Sequence, residues 1–362
     1  MLDSSVLTAD LLQICSDENI PWEKLRNQTV LITGATGLIG GTLVRSLLWA
    51  NQQKHLHMTV IALVRNIEKA MEKFSKQGKI DASLLLVEGS VEQLPDIPLS
   101  VDYVIHGASP TASAYFAKYP LETIHISIKG TWNLLAFAQQ KNVKGFLYIS
   151  SMEVYGSHKT DDVIDEQGIA IIDTMSPRSC YPEAKRLCEN LCASYFSERG
   201  LPAKVIRLTQ TFGPGVSSDD DRVFAQFLRA ALKKENIILQ TDGSTKRSYL
   251  YTADACSAIL TVMLKGYSGE AYNAANPATY CSILEMAEMV SRKLAINQIS
   301  VHIQISSQDS PIFPPNRKVN IQVDKLFSLG WHPTYGLQEM FERMSKDWLE
   351  RGVNIPLHKD SQ

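Results

Sequence analysis

Residues 29–43 read TVLITGATGLIGGTL, and this stretch decides the fold class. The β-branched run TVLIT predicts a buried strand, and the glycine-rich segment after it opens a run with helical spacing of apolar residues. Glycines at such a junction let the backbone turn tightly and approach a pyrophosphate, whose charge then faces the first N–H groups of the helix. This order of elements predicts a dinucleotide-binding unit, although a glycine-rich turn without a ligand is the alternative interpretation.

Strand and helix patterns go on alternating beyond this unit. Short β-branched runs separated by helical runs are typical of a parallel sheet covered on both faces. We therefore predict an α/β protein with a Rossmann-type doubly wound parallel sheet and a smaller, interleaved C-terminal substrate lobe. The expected units are an N-terminal extension (1–28), a dinucleotide-binding domain (29–212) and the lobe (213–355), from which residues near 252–265 return to the first domain.

Composition and charge exclude several classes of protein. The formal net charge is -2 and the basic residues are scattered, so there is no electrostatic footprint for nucleic acid or an anionic membrane. No apolar run reaches the roughly 18 residues of a membrane span, and no signal peptide is visible. The six cysteines form no CxxC pair and no metal-like cluster. We expect a cytoplasmic protein without a metal site, a membrane partner or a nucleic-acid partner.

Residues 181–185 read YPEAK and carry the first candidate for catalysis. The spacing places Tyr181 and Lys185 on one face of a predicted helix. A tyrosine titrates near ~10, and an adjacent ammonium would stabilise the phenolate and lower that pKa. Upstream, the predicted strand KGFLYISS ends at Ser151 and is followed by Met152 and Glu153.

The glycine spacing GxxGxxG resembles the extended branch of the short-chain dehydrogenase/reductase superfamily, the NAD-dependent epimerase/dehydratase family. The runs RSCYPEAKR (178–186) and TFGP (211–214) are similar to those of UDP-glucuronate decarboxylases and related dTDP-glucose 4,6-dehydratases, and the resemblance covers roughly residues 29 to 350. It implies a nucleotide-sugar enzyme in which bound NAD(P)+ transiently oxidises C4 of the sugar.

The resemblance implies specific roles for the catalytic candidates. Ser151, Tyr181 and Lys185 would form the triad, with Tyr181 taking the proton of the C4 hydroxyl. Glu153 would act as an auxiliary acid or base. Met152 replaces an aspartate or serine found in relatives and cannot donate a proton, so we expect it to contribute shape only.

The resemblance also implies the residues that bind the cofactor. The second strand ends in Arg65 without a carboxylate for the ribose of NAD, and an arginine there can pair with the 2'-phosphate of NADP, so both dinucleotides remain open. The other expected cofactor ligands are Gly34, Thr36, Gly37, Leu38, Ile39, Gly40, Ser90, Val91, Gly107, Ala108, Ser109, Tyr181 and Lys185.

The expected partner is a nucleotide-diphosphate sugar. A homodimer through the helices at 123–140 and 181–199 is also expected, and it would bury Leu187, Leu191 and Tyr195. Four residues are carried over from the family pattern as ligands of the nucleotide sugar. The four ligands are Ser113, Gln210, Arg222 and Arg247.

Other functions stay open. Within the family, epimerisation, dehydration and C6 decarboxylation of a UDP-glucuronate-type substrate are not separated by the sequence. An NADPH-dependent carbonyl reductase is a second enzymatic interpretation, which Arg65 favours. A non-catalytic dinucleotide-binding module is the alternative from another class, and the intact Ser151, Tyr181 and Lys185 argue against it.

Overall fold

A parallel sheet forms the centre of the computed structural model, which describes residues 4–75, 79–158, 160–168, 170–305 and 317–353. The strands in those ranges are β1 (Thr29–Thr33), β2 (Thr59–Val64), β3 (Leu84–Glu88), β4 (Tyr103–His106), β5 (Gly145–Ser151), β6 (Val163–Ile164), β7 (Ala203–Leu208), β8 (Gln210–Phe212), β9 (Ile237–Leu239), β10 (Lys246–Tyr251), β11 (Ala271–Ala274), β12 (Asn276–Ser282), β13 (Val301–Ile303) and β14 (Lys318–Ile321).

Helices cover this sheet and build the rest of the molecule. They are α1 (Ser5–Ser16), α2 (Leu38–Lys54), α3 (Ile67–Phe74), α4 (Ser113–Lys118), α5 (Pro120–Lys141), α6 (Cys180–Arg199), α7 (Val223–Lys233), α8 (Thr252–Lys265), α9 (Ile283–Met289), α10 (Asp324–Phe327) and α11 (Leu337–Glu350). Within these ranges, no helix is long and apolar enough to cross a membrane.

The main sheet has the strand order β11-β7-β5-β4-β1-β2-β3, and its pairings are all parallel. The inner strands β1, β2 and β5 are buried almost throughout, because helices cover both faces. The chain builds the sheet outward from β1 to β3 on one side and then from β4 onward on the other, so the switch point lies between β1 and β4. In open α/β sheets, ligands bind at such a switch point. The predicted fold class is confirmed.

A second, smaller sheet forms beyond β7. Its path is β12-β10-β14-β6, with β8 pairing β10, and β9 pairs with β13 separately. Between these strands the chain returns to the main sheet: α8 is buried along nearly its whole length against α2, β5 and β7, and β11 adds the edge strand. The proline-rich run at 311–315 lies outside the described residues.

The N-terminal extension is part of the core. Helix α1 packs against α2, α8 and α11. Its buried Asp10 accepts hydrogen bonds from the Tyr251 hydroxyl (2.8 Å) and from Arg343 (2.6 Å). Burial raises the pKa of Asp10 to about 6, against the opposing pull of Arg343. The sequence had given this segment no chemistry, and its contacts are those of a packing element that holds α11 to the domain.

Candidate active site

The glycine turn after β1 leaves no room for side chains. Gly34 has a φ of +70°, and a Cβ there would lie 2.8 Å from the backbone of Gly107. A Cβ at Gly40 would lie 2.2 Å from the Gly34 carbonyl oxygen. Glycine is therefore required at both positions, because the turn, the end of β4 and the first turn of α2 meet backbone to backbone.

This turn borders a cleft of about 480 Å³. Gly37 is the N-cap of α2 and offers no side-chain acceptor, so the first N–H groups of the helix lack the usual capping partner. Orphan donors together with the positive end of a helix favour a phosphate. The predicted residues Thr36, Gly37, Leu38, Ile39 and Gly40 all line the cleft, which is where a pyrophosphate would be held.

The other predicted cofactor residues fall into two groups. Gly107 and Ser109 line the cleft, and the Ala108 N–H beneath them donates to Thr33 Oγ1 at 3.2 Å. Five of the predicted cofactor residues lie outside the lining of the cleft, namely Gly34, Arg65, Ser90, Val91 and Ala108. The Ser90 hydroxyl accepts a hydrogen bond from the Gln93 N–H at 3.2 Å. Val91 packs against Gly130 so closely that a Cβ added at Gly130 would lie 2.5 Å from Val91 Cγ2.

The predicted triad comes together in the same cleft. Ser151 ends β5, whereas Tyr181 and Lys185 lie one turn apart on α6. The Lys185 ammonium donates to the Ile149 carbonyl at 2.8 Å and lies 5.7 Å from the centre of the Tyr181 ring. The ring of Tyr181 stacks on Phe116, with centroids 4.9 Å apart.

The pKa of Tyr181 is raised and not lowered, contrary to the prediction made from its spacing to Lys185. Burial raises the pKa of the Tyr181 phenol above its ordinary value, the charge of Glu153 raises it further, and the hydrogen bond with Ser151 and the charge of Arg178 only partly oppose this. Burial also lowers the pKa of Lys185 to about 8. The spacing of Tyr181 and Lys185 on the helix follows from the sequence, whereas the depth of burial and the carboxylate that faces the phenol do not.

Glu153 is surrounded by arginines. Arg317 Nη1 donates to Glu153 Oε2 at 2.6 Å, and only 15% and 19% of the two side chains are exposed. Burial pushes the pKa of the Glu153 carboxyl up, but the guanidiniums of Arg317, Arg247 and Arg178 together hold it below its ordinary value. Glu153 is therefore an ionised acceptor, and it has no proton to donate at neutral pH.

The arginine cluster carries more positive charge than Glu153 balances. Within the described ranges, Arg178 Nε and Nη1 and Arg317 Nε are buried without a hydrogen-bond partner. The guanidinium of Arg178 also lies 4.3 Å from the centre of the Phe116 ring, which fixes it beside Tyr181. Buried charged donors without acceptors are costly, so the surroundings of Glu153 favour a further anionic group.

The four predicted substrate ligands, Ser113, Gln210, Arg222 and Arg247, all line the cleft. Arg247 donates to the Gln210 side-chain oxygen at 3.3 Å. Arg222 is paired with Asp220 at 2.5 Å, so much of its charge is balanced within the protein.

A second polar network lies behind the catalytic strand. Ser150 donates to Glu189 at 2.5 Å, and Arg207 pairs with the same carboxylate at 2.6 Å. Arg207 also donates to the Tyr155 hydroxyl at 2.9 Å, and that hydroxyl donates to Asn273. Because Tyr155 ends the 3-10 turn Met152–Tyr155, the network fixes the turn that carries Glu153.

Sequence reasoning missed two residues of the site, Arg178 and Arg317. Arg178 precedes Tyr181 by three residues, a spacing that places it beside the catalytic helix and could have identified it. Arg317 lies 164 residues from Glu153 in the chain, and no local pattern connects them. Within the described residues, no group of three His, Cys, Asp or Glu side chains is arranged to hold a metal ion.

A family model described as "NAD dependent epimerase/dehydratase family" matches residues 30–275. The chain belongs to this family. UDP-glucuronic acid decarboxylase 3 of Arabidopsis thaliana is 29% identical over 333 residues, which cover 91% of this chain and 91% of the relative. UDP-glucuronic acid decarboxylase 1 of Danio rerio is 28% identical over 312 residues, which cover 86% of this chain and 70% of the relative.

Solved structures share the fold. A UDP-glucose 4-epimerase of Thermotoga maritima has a TM-score of 0.73 at 21% identity, covering 90% of this chain and 99% of that one. A UDP-glucuronic acid 4-epimerase of Bacillus cereus, solved with UDP-glucuronic acid and NAD, has a TM-score of 0.73 at 20% identity and covers 90% of this chain and 100% of that one. The predicted family, enzyme class and nicotinamide cofactor are confirmed.

Replacing Glu153 with glutamine tests the electrostatics of the site. Because the charge of Glu153 raises the pKa of Tyr181, its removal lowers that pKa, by about one unit for a close like charge. The rising limb of kcat/KM against pH therefore moves to lower pH in Glu153→Gln. Glu183→Gln, which removes a charge two residues from Tyr181, leaves the limb in place. A limb that stays or moves to higher pH in Glu153→Gln contradicts this assignment.

Proposed function

We propose that this chain binds a nucleoside diphosphate sugar in the cleft, oxidises it transiently at C4 and returns the hydride to complete the reaction. The observation that carries this proposal is the set of Ser151, Tyr181 and Lys185 in one cleft with the uncapped start of α2. The relatives support it, since they are named as UDP-glucuronic acid decarboxylases and 4-epimerases of nucleotide sugars.

Each catalytic side chain has a role that its surroundings allow. Tyr181 would take the proton of the C4 hydroxyl as the phenolate, a form that burial and Glu153 disfavour and that the positive charge of a bound oxidised nicotinamide would stabilise. Ser151, bonded to the phenol, holds that hydroxyl in line. Lys185 keeps a positive charge beside the phenolate as it forms. A nicotinamide dinucleotide bound along the glycine turn would supply the acceptor, and later the donor, of the hydride.

The arginine cluster selects the substrate by charge. Arg247 lines the cleft, and Arg178 and Arg317 lie behind it around Glu153, which balances only one of the three guanidiniums. Guanidiniums bind carboxylate and phosphate oxygens through paired N–H donors. The diphosphate of a nucleotide sugar, or a carboxylate on its sugar ring, would meet this excess charge.

The surroundings of Met152 and Glu153 limit the reaction that follows oxidation. Expulsion of water from C6 needs a proton donor, and neither the Met152 thioether nor the ionised Glu153 can supply one. Dehydration is therefore disfavoured. Epimerisation at C4 needs only the triad and a 4-keto sugar that can present its opposite face to the returning hydride.

Decarboxylation is a second candidate, and the unpartnered arginine donors favour it. Oxidation of a uronic acid at C4 places a ketone β to the C6 carboxylate. The C5–C6 bond can then break with its electrons passing to the ketone, carbon dioxide leaves, C5 takes a proton, and the returned hydride reduces C4. Arg247, which lines the cleft, would orient that carboxylate before it is lost, and Arg178 and Arg317 would add positive charge behind it.

Tyr181→Phe tests the proposal directly. The variant keeps the ring stacked on Phe116 but loses the acid–base group, so we expect turnover to fall about a thousandfold. Tyr119→Phe, at an exposed tyrosine, is the matched control and retains activity. UDP-, CDP-, GDP- and dTDP-sugars are first ranked by thermal shift to choose the substrate.

Three outcomes of these assays would contradict the proposal. Unchanged activity of Tyr181→Phe removes the triad from catalysis. Stoichiometric consumption of NADPH with a carbonyl substrate identifies a reductase. A flat thermal response to all four nucleotide sugars favours a dinucleotide-binding module without catalysis.

We also propose a homodimer through α5 and α6. Leu187 is 44% exposed and Trp132 is 54% exposed, whereas Tyr195 is covered by Trp132 within the chain. The six cysteines are free thiols, which supports a reducing compartment such as the cytoplasm.

Leu187→Glu tests the dimer, because it places a charge in the centre of the proposed apolar interface. Sedimentation equilibrium should give twice the chain mass for the wild type and a single chain mass for the variant. Leu12→Glu, at a leucine of similar exposure on α1, should remain dimeric. A monomeric wild type, or a Leu187→Glu variant that remains dimeric, excludes this interface.

A further inference from the structure

One wall of the cleft is formed by a short loop after β8, residues 215–217. Gly215, Val216 and Ser217 all line the cleft. A Cβ added at Gly215 would lie 3.2 Å from Leu38 Cδ1. Because Leu38 is the first residue of α2, the loop lies against the helix start at which a dinucleotide phosphate would be held. The position of the loop therefore sets the width of the cleft at this point.

Side chains at the end of α11 hold this loop in place. The Asp347 carboxylate accepts the Gly215 N–H at 2.9 Å, and the indole N–H of Trp348 donates to the Val216 carbonyl at 2.9 Å. Arg351 donates to the same carbonyl at 3.2 Å and to the Asp347 carboxylate at 2.7 Å. Asp347 and Trp348 are each 1% exposed, so water competes little for these hydrogen bonds.

Helix α1 fixes the Asp347 carboxylate in turn. Ser4, the N-cap of α1, donates its hydroxyl to Asp347 Oδ1 at 2.6 Å, whereas Oδ2 accepts the hydrogen bonds from Gly215 and Arg351. The next residue, Ser5, donates its N–H and its hydroxyl to the carboxylate of Glu350, each at 2.6 Å. With both oxygens bonded, the buried carboxylate is held in one orientation, and it links α1 to the cleft.

We propose that Asp347 is a positioning residue for the dinucleotide: it holds the 215–217 loop against the start of α2, and Ser4 of α1 holds Asp347. The N-terminal extension then contributes to cofactor binding as well as to the stability of the fold. This inference rests on the proposed function, because it assigns the dinucleotide to the same cleft. Its test uses no sugar, so it can fail while the proposed reaction at C4 stands.

The charge of Asp347 and its position act on binding in opposite directions. A carboxylate repels the phosphates of a dinucleotide, so removal of the charge alone would tighten binding. Removal also takes the acceptor away from the Gly215 N–H and from Arg351, and the loop then loses its fixed position. Weaker binding in an Asp347 variant therefore identifies positioning.

Titration calorimetry with NAD+ measures the effect on the cleft. Asp347→Ala should weaken binding about tenfold, as for the loss of a hydrogen bond to a charged group. Asp347→Asn keeps an oxygen that can accept the Gly215 N–H, and its affinity should stay within about threefold of the wild type. Asp10→Ala is the matched control, because Asp10 is also 1% exposed and pairs with Arg343 of α11. Its melting temperature should fall, but it should bind NAD+ as the wild type does.

Hydrogen exchange followed by mass spectrometry reports on the loop itself, without any ligand. The peptide that contains residues 215–217 should exchange about tenfold faster in Asp347→Ala and at the wild-type rate in Asp10→Ala. If Asp347→Ala does not fold, as shown by its thermal melt, Ser4→Ala tests the same set of contacts. That variant loses only the hydroxyl bonded to Asp347 Oδ1, and its affinity for NAD+ should fall about threefold.

Any of three results overturns the proposal. Unchanged or tighter NAD+ binding by a folded Asp347→Ala variant, or by Ser4→Ala in its place, shows that these contacts do not position the cleft. Equal weakening in Asp10→Ala shows that α1 and α11 affect binding only through the stability of the fold. Unchanged exchange of the 215–217 peptide shows that the loop keeps its position without Asp347.

Discussion

The close approach of three backbone segments at the carboxyl end of β1 is the constraint on which the site depends. Gly34 lies against Gly107, and Gly40 lies against Gly34, at distances that exclude any Cβ. This contact brings the start of α2 to the switch point of the sheet and leaves its N–H groups facing the cleft. The fold thus positions a phosphate site with backbone alone, which frees the surrounding side chains for the sugar.

Helix α6 carries both the proposed catalytic residues Tyr181 and Lys185 and the carboxylate of Glu189, which anchors the network behind them. Tyr181 and Lys185 face the cleft one turn apart. Glu189, one turn further along, accepts a hydrogen bond from Ser150 and forms an ion pair with Arg207. Arg207 extends this contact to Tyr155, at the end of the turn that carries Glu153. The triad and the auxiliary carboxylate are therefore held by one connected network. The arginines around Glu153 set its charge, and that charge in turn raises the pKa of Tyr181.

Local patterns in the sequence predicted the parts of the molecule that local physics determines. The strand at 29–33, the glycine turn and the helix that carries Tyr181 and Lys185 follow from spacing of apolar residues and glycines. Arg317 could not be predicted, because its contact with Glu153 spans the chain. The direction of the Tyr181 pKa shift also escaped prediction, since it depends on burial and on a carboxylate from another element.

Transient oxidation at C4 is the central claim, and a nucleotide sugar deuterated at C4 tests it most directly. The enzyme is incubated with the sugar that gives the largest thermal shift, and the product is examined by mass spectrometry and NMR. Turnover of the deuterated substrate is expected to be slower, and the product should retain deuterium at C4, with no net change in the dinucleotide. Deuterium recovered in released reduced dinucleotide, or turnover with no isotope effect and no transient reduction, would contradict it.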